Sequence, residues 1–233
     1  LYLDNPFTRG QGTETIYALR TDVVGNIVSI GISPFAMNVC ACIVVIFINQ
    51  GLLQYGGDLQ VGAFGIGNKF VFIFIMFCMG VNQGMQPIVG YNYGAQKMAR
   101  VRKTLYLSMA VATSITTVGW ILSWAIPEYI CRLFTSDAEL IKVAANGLKI
   151  NMATFFVVGF QMVVANFFQS IGKAAISIFL SLSRQLLLLL PLLLILPKLF
   201  GVEGVWLSLP LSDFISAILA EITLFIYRKK LLV

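Results

Sequence analysis

Long apolar runs alternate with short polar segments along this chain. Six runs are long enough to cross a bilayer, because a transmembrane helix needs roughly 20 mostly apolar residues. They cover residues 23–49, 61–89, 104–126, 150–171, 175–197 and 204–227. The one long connection, Pro127 to Lys149, mixes charged and apolar residues at helical spacing, which predicts a helix at the membrane surface with Ser136 as its N-cap. The pattern therefore predicts an all-α, polytopic membrane protein with six transmembrane helices.

The two ends of the chain differ from the apolar runs. Residues 1–22 are polar, contain Pro6, Gly10 and Gly12, and have no apolar stretch, so they lie outside the predicted six-helix region 23–228. Residues 229–233 form a short basic tail. The chain begins with Leu1 and shows no signal-peptide pattern, so we expect a fragment or a processed product.

The composition argues against a soluble enzyme. Hydrophobic residues make up 58% of the chain and charged residues 11%, against about 25% charged residues in soluble domains. Histidine is absent, which removes the commonest general base and metal ligand. The sequence contains no P-loop, GxSxG or HExxH motif, and its four cysteines lack metal-ligand spacing. We therefore expect no enzymatic activity, no metal site and no cofactor.

The basic residues predict the orientation in the membrane. Ten lysines and arginines fall in segments on one side of the predicted spans, and four fall on the other side. Because cytoplasmic loops carry the excess of positive charge, both termini are expected in the cytoplasm and the spans in the plasma (inner) membrane. Three tryptophans, Trp120, Trp124 and Trp206, lie near the predicted outer interface, where aromatic belts occur. The net charge of +6 is thus a topology signal and needs no nucleic acid to explain it.

Four ionisable residues lie inside the predicted spans: Lys69, Arg184, Asp213 and Glu221. Each costs about 2.5–3.5 kcal/mol or more at mid-membrane unless it is paired or hydrated, so each is a transport-pathway candidate. Counting about 1.5 Å per residue from the membrane faces puts Lys69 level with Asp213, and Arg184 level with Glu221. We therefore predict these two ion pairs, with structural pairing between helices as the alternative role.

Prolines and amides add further polar features within the spans. Pro34 and Pro87 are predicted helix breaks, because proline removes a backbone donor that lipid cannot replace. Gly80 and Gly84 have the spacing that permits close helix approach. Amide side chains either line a cavity or join helices, and the candidates are Asn38, Gln83, Gln86, Asn151, Gln161 and Gln169. Gln161 and Gln169 are predicted to share one helix face.

Several segments resemble one transporter family. The block GMQPIVGYNYGAQKMARVRK, from Gly84 to Lys103, resembles a motif of the multidrug and toxic compound extrusion (MATE) transporters. Similar segments follow the family order over about residues 23–228: GISPF from Gly31, LFTSDAELIKVAANGLKI from Leu133, GFQMVVANFFQSIGKA from Gly159, Arg184–Gln185, and GVWLSLPLSD ending at Asp213.

The resemblance implies a function and a larger assembly. Family members have twelve helices in two lobes, and this chain resembles the second lobe, with residues 1–22 resembling the connection between lobes. Members export small lipophilic, often cationic, molecules by alternating access against an inward flow of protons or sodium ions. Lys69 matches a basic position that many members carry on the eighth helix. Carboxylates that some members carry on the seventh and tenth helices are missing from 23–49 and 150–171, so we expect the ion site to need the amino-terminal lobe.

Two alternatives to a cation-coupled exporter remain open at this stage. A lipid-linked oligosaccharide flippase of a related group would share the lobe architecture, and its anionic substrate would require a basic cavity. An acidic or aromatic cavity would favour the exporter. A six-helix membrane assembly module without transport activity is the third possibility.

Overall fold

The computed structural model describes the backbone of residues 21–231 and the side chains of residues 38–227. Most of the predicted connection 1–22, the side chain of Pro34 and the side chains of the basic tail therefore lie outside the described residues. The chain divides into two compact units, Leu1–Val39 and Cys40–Val233. The helix contacts reported below lie within the second unit.

Every regular element assigned in residues 21–231 is helical. The elements are α1 (Thr21–Gly94), α2 (Met98–Ala125), α3 (Pro127–Arg132), α4 (Ala138–Asn151), α5 (Phe155–Ser170), α6 (Ala174–Leu182), a π-helical segment (Ser183–Leu189), α7 (Leu190–Phe200) and α8 (Val202–Leu231).

Four stretches in the described part of the chain are long and apolar enough to cross a membrane: Asn38–Gly94, Met98–Ala125, Ala174–Phe200 and Val202–Tyr227. Helices α4 and α5 meet at a bend of 52°, and they form a fifth membrane span if the pair is counted as one span. The all-α, polytopic prediction is confirmed. The number of six transmembrane helices stays a prediction.

The first two predicted spans both fall within α1, which has one interruption at Gly57. This residue has φ 74° and ψ −172°, a conformation open in practice only to glycine, and it separates two helical arms. The backbone is helical on both sides of it, including at Pro34 and Pro87. The predicted helix breaks at these prolines are therefore wrong, because the interruption occurs where the missing Cβ permits a non-helical φ.

The predicted surface helix between Pro127 and Lys149 consists of two helices, α3 and α4. The N-cap of α4 is Asp137 and not Ser136 as predicted. The Oδ1 atom of Asp137 accepts hydrogen bonds from the backbone N–H of Glu139 at 2.9 Å and of Leu140 at 3.3 Å. A carboxylate at this position also interacts favourably with the helix dipole, which explains why it replaces the neighbouring serine hydroxyl.

The fifth predicted span changes its helical form halfway. Residues Ser183–Leu189 are π-helical, and the N–H of Leu190 donates to the carbonyl of Gln185, five residues back. Pro191 lies in the first turn of α7, where it supplies no N–H to the turn before it. Wide turns of this kind occur often at functional sites, and here the turn carries Arg184.

Two apolar clusters hold the helices together, one toward each end of the bundle. The first cluster surrounds Leu148 and Trp206, near the Gly57 interruption. The second surrounds Phe167 and Phe168 of α5, with Val89 of α1 and Leu105 of α2. Helices α1, α5 and α8 each contribute residues to both clusters, so these three helices connect the two parts of the core.

Helices α2 and α5 approach closely at Gly159. A Cβ on this glycine would lie 2.6 Å from the carbonyl carbon of Ala112 and 2.7 Å from Thr116 Oγ1. Thr116 Oγ1 lies within hydrogen-bond distance of the Phe156 carbonyl, at 3.2 Å, so a hydroxyl joins the two helices at the same level. The predicted close approach at Gly80 and Gly84 is wrong within the described residues, because a Cβ on either meets nothing within 4 Å.

We expect Gly159→Ala to lower the free energy of unfolding by about 1–3 kcal/mol, because the added methyl group forces α2 and α5 apart. Thermal unfolding of the purified protein in detergent measures this loss. Gly84→Ala is the matched control and should leave the unfolding temperature unchanged or slightly raised, since alanine favours helix and meets no neighbour. Equal unfolding temperatures for the two variants would contradict the close approach.

Candidate functional site

A buried ion pair joins the π-helical segment to α8. Arg184 Nε lies 2.8 Å from Asp213 Oδ1, and the two side chains are 31% and 13% exposed. The Nε–H is not aligned for a hydrogen bond, so the contact is an ion pair by distance. The carboxylate of Asp213 is thus neutralised by a cation from the neighbouring helix, which lowers the cost of its burial.

The two ion pairs predicted from depth are therefore wrong. Asp213 pairs with Arg184 and not with Lys69. Lys69 and Glu221 are both exposed, and neither forms an ion pair with a described residue. Counting residues along straight helices ignored the wide π-helical turn and the reach of the arginine side chain, and together these bring Arg184 to Asp213.

Asp213 lies beside a row of small buried residues on α8. The row has a four-residue spacing: Gly204, Ser208, Ser212, Ser216 and Ala220. Each serine hydroxyl donates to a carbonyl of its own helix, such as Ser208 to Gly204 at 2.7 Å and Ser216 to Ser212 at 2.7 Å. The sequence reasoning missed this row, although the regular spacing of small residues in the printed sequence indicates it.

An amide pair joins α1 to α5. Gln86 Nε2 donates to Asn166 Oδ1 at 3.1 Å, and Asn166 Nδ2 donates to the Met162 carbonyl at 2.9 Å. One turn further along, a Cβ on Gly90 would lie 3.4 Å from the Ser170 carbonyl oxygen. The two helices therefore run parallel, with residues about 80 positions apart at the same level.

In this register, two amide side chains without hydrogen-bond partners among the described residues lie at the same height in the bundle. Asn82 is 3% exposed and lies one turn before Gln86, at the level of Gln161 and Met162. Neither Asn82 Nδ2 nor Asn82 Oδ1 has a hydrogen-bond partner, and the Oε1 atom of the 4% exposed Gln161 also lacks one. Leaving a buried amide unsatisfied costs about 1–3 kcal/mol. Asn82, one turn from Gln86, is thus a candidate polar site on the face of α1 that meets α5, and Gln161 is a second buried amide at the same level of α5.

The remaining predicted amides do not belong to this site. Gln83 and Gln169 are exposed, and Asn151 is partly buried at the end of α4. Gln161 is buried, whereas Gln169 is exposed at the end of α5, and the shared face of the two residues stays a prediction. Asn38 is exposed and lies in the first compact unit, where it has contacts of its own.

The four cysteines are free thiols. Cys78 and Cys131 are buried, Cys40 is partly buried, and Cys42 is exposed. At Cys131, burial and then the nearby charge of Glu128 raise the pKa of the thiol, so it stays protonated at neutral pH. Within the described residues, no group of three or more histidine, cysteine, aspartate or glutamate side chains is placed to hold a metal ion.

Comparison with known proteins identifies the family. The model of the MatE family matches residues 30–195, well over half of the chain. This chain belongs to the MatE family. The resemblance noted in the block from Gly84 to Lys103 is therefore confirmed.

The curated relatives of this chain are named as multidrug export proteins. The multidrug export protein MepA of Staphylococcus aureus is 27% identical over 214 residues, which is 91% of this chain and 46% of the relative. MepA of Staphylococcus haemolyticus is 26% identical over 207 residues, covering 89% of this chain and 45% of the relative. The chain spans about half the length of the curated relatives it matches.

Solved MatE structures have the same fold. The multidrug transporter DinF-BH with a bound dye is 38% identical, with a TM-score of 0.77 over 90% of this chain and 47% of that one. An inward-facing MATE family transporter of the MOP superfamily is 17% identical, with a TM-score of 0.84 over 92% and 50% of the two chains. At this identity the second match concerns the fold alone. Membership of this family places the chain in a membrane as a multi-pass protein.

We expect Arg184→Gln to destabilise the protein more than Asp213→Asn. The first change leaves a carboxylate in the more buried position, and breaking a buried pair costs about 3–5 kcal/mol. The double variant Arg184→Gln/Asp213→Asn should recover part of this loss, because it removes both charges. Thermal unfolding of the four proteins measures the coupling, and additive losses would contradict the pairing. Lys69→Gln serves as a control without a pair.

The variant Asn82→Leu tests whether the amide of Asn82 has a structural or a functional role. Removing an unsatisfied buried amide should raise the free energy of unfolding by about 1–3 kcal/mol, while drug export by the full-length protein should fall. Gln86→Leu is the matched control and should lower stability, because Asn166 loses its donor. A stable Asn82→Leu protein with full export would show that the amide has no role in transport.

Proposed function

We propose that this chain forms the carboxy-terminal lobe of a multidrug exporter in the plasma membrane, a transporter and not an enzyme. Two findings support this: the family match, and relatives named multidrug export proteins that are about twice as long as the aligned region. The amino-terminal lobe is the proposed partner, and alternating access would move the lobes around a shared cavity. The distribution of lysine and arginine supports cytoplasmic termini for this chain.

The observation that favours an exporter of cations over a flippase is the lining of a cleft on the surface of this lobe. The cleft lies between α2, α5 and α8, and its described lining contains aromatic side chains and Glu221 but no lysine or arginine. An anionic lipid-linked sugar would require basic side chains, whereas lipophilic cations interact favourably with aromatic faces and a carboxylate. We therefore propose lipophilic, often cationic, small molecules as the exported class.

The proposed driving force is an inward flow of protons or sodium ions. Residues 23–49 and 150–171 contain no aspartate or glutamate, so we propose that the amino-terminal lobe contributes carboxylates to the ion site. In this lobe, the unpartnered amides at Asn82 and Gln161 offer neutral polar contacts. Neutral groups of this kind would hydrogen-bond a transported molecule or its hydration water without requiring a counter-charge.

Dye export by the full-length protein tests this function. The protein is reconstituted in vesicles, and proton and sodium gradients are imposed separately. We expect extrusion of a cationic dye driven by one of the two gradients, at least several-fold above protein-free vesicles. Transport under neither gradient would contradict coupled antiport, and transport of an anionic lipid-linked sugar would favour the flippase.

A further inference from the structure

Glu221 faces a cleft of about 430 Å³ between α2, α5 and α8. Aromatic side chains from all three helices line it: Tyr106 from α2, Phe156 and Phe160 from α5, and Phe225 from α8. Among the described lining residues, Glu221 is the only carboxylate and no side chain is basic. The cleft is thus a mostly apolar space with one fixed negative charge.

The cleft opens on the side of the bundle that carries large exposed apolar residues. Tyr106 is 41% exposed and Phe225 is 68% exposed, and their neighbours Ile222 and Ile226 are exposed as well. Such a surface on a transmembrane helix suits contact with lipid chains or with another membrane helix. Where it contacts lipid, molecules dissolved in the bilayer reach the cleft directly from the side.

An unpaired carboxylate at this depth is unfavourable. By residue count Glu221 lies roughly 9 Å from the inner membrane face, and a charge within a span costs several kcal/mol unless it is compensated. At this end of α8, Lys173 has its Nζ 4.4 Å from the ring centroid of Tyr227 and so contacts an aromatic face. No described side chain forms an ion pair with Glu221, so a bound cation would lower the free-energy cost of placing this charge in the membrane.

The size and lining of the cleft define the ligand. Its volume falls within the roughly 300–1,000 Å³ of small-molecule sites. Aromatic faces attract cations most strongly when water is excluded, and a carboxylate adds direct charge attraction. We propose that this cleft is a membrane-facing docking site for lipophilic organic cations, with Glu221 binding the positive centre and the aromatic side chains enclosing the apolar body.

This site deepens the proposed function, on which it rests for its biological meaning. It would collect cations from the inner leaflet beside the transport pathway, at the α2–α5–α8 surface and not at the α1–α5 amides. Binding itself does not depend on transport, so the two proposals can fail separately.

Photoaffinity labelling tests the site directly. The full-length protein is placed in nanodiscs of phosphatidylcholine and labelled with a radioactive azido derivative of tetraphenylphosphonium, and the labelled peptides are mapped by mass spectrometry. We expect label on α5 and α8 peptides that contain Phe160 and Phe225. Glu221→Gln should reduce this label about tenfold or more.

Matched variants keep the result interpretable. Glu221→Asp retains the charge and should retain most of the label, and equal thermal unfolding shows that both variants are folded. Glu203→Gln removes an exposed carboxylate at the other end of α8 and should leave labelling unchanged. Tetraphenylborate, the anion of similar shape, should not compete with the probe.

Three results would overturn the proposal. Absence of label in the cleft would mean that Glu221 reaches the lipid headgroups instead. Labelling that is unaffected by Glu221→Gln would show that the negative charge of Glu221 does not contribute to cation binding. Loss of label when phosphatidylethanolamine replaces phosphatidylcholine would assign the cleft to a lipid amine. Intact labelling without gradient-driven dye export would contradict only the proposed function, whereas export without labelling would contradict only the docking site.

Discussion

The structure depends on the constraint that polar groups at membrane depth must find partners within the protein. Lipid offers no hydrogen-bonding groups. Helix formation therefore satisfies the backbone N–H and C=O groups, and polar side chains must hydrogen-bond to other groups of the protein. The serines of α8 donate to carbonyls of their own helix. Thr154, at the bend between α4 and α5, donates to the carbonyl of Pro210 on α8 at 2.9 Å. Hydroxyl groups thus fit into an apolar bundle at little cost, and small side chains let the helices approach.

Departures from this constraint mark the places where chemistry is expected. Most buried polar groups in proteins have partners, yet Asn82 and Gln161 have buried polar atoms without a partner among the described residues. Glu221 retains a charge in an aromatic cleft. Arg184 and Asp213 satisfy the constraint by pairing across helices, which makes them a structural connection first. Among the described residues, the bundle therefore contains an ion pair between two helices and, elsewhere, buried amides without partners and a carboxylate in an aromatic cleft.

Close contacts and local irregularities define the geometry of these sites. Gly159 lets α2 and α5 meet, and this contact forms one wall of the Glu221 cleft, because Phe156, Phe160 and Thr113 lie beside it. The π-helical turn brings Arg184 to Asp213. The Gly57 interruption lets one long helical stretch form two arms. Each irregularity is local, and each changes which side chains meet.

The sequence by itself determined the membrane class, the all-helical fold and the family, because apolar run length and the block from Gly84 to Lys103 are local properties of the chain. It also identified Arg184, Asp213, Gln86, Gln161 and Glu221 as polar residues in unusual surroundings. Tertiary structure alone decided their partners: Arg184 with Asp213, Gln86 with Asn166, and neither Asn82 nor Gln161 with a described side chain. Pairing depends on helix register, tilt and side-chain reach, which involve residues far apart in the chain and leave no mark in the local hydrophobic pattern.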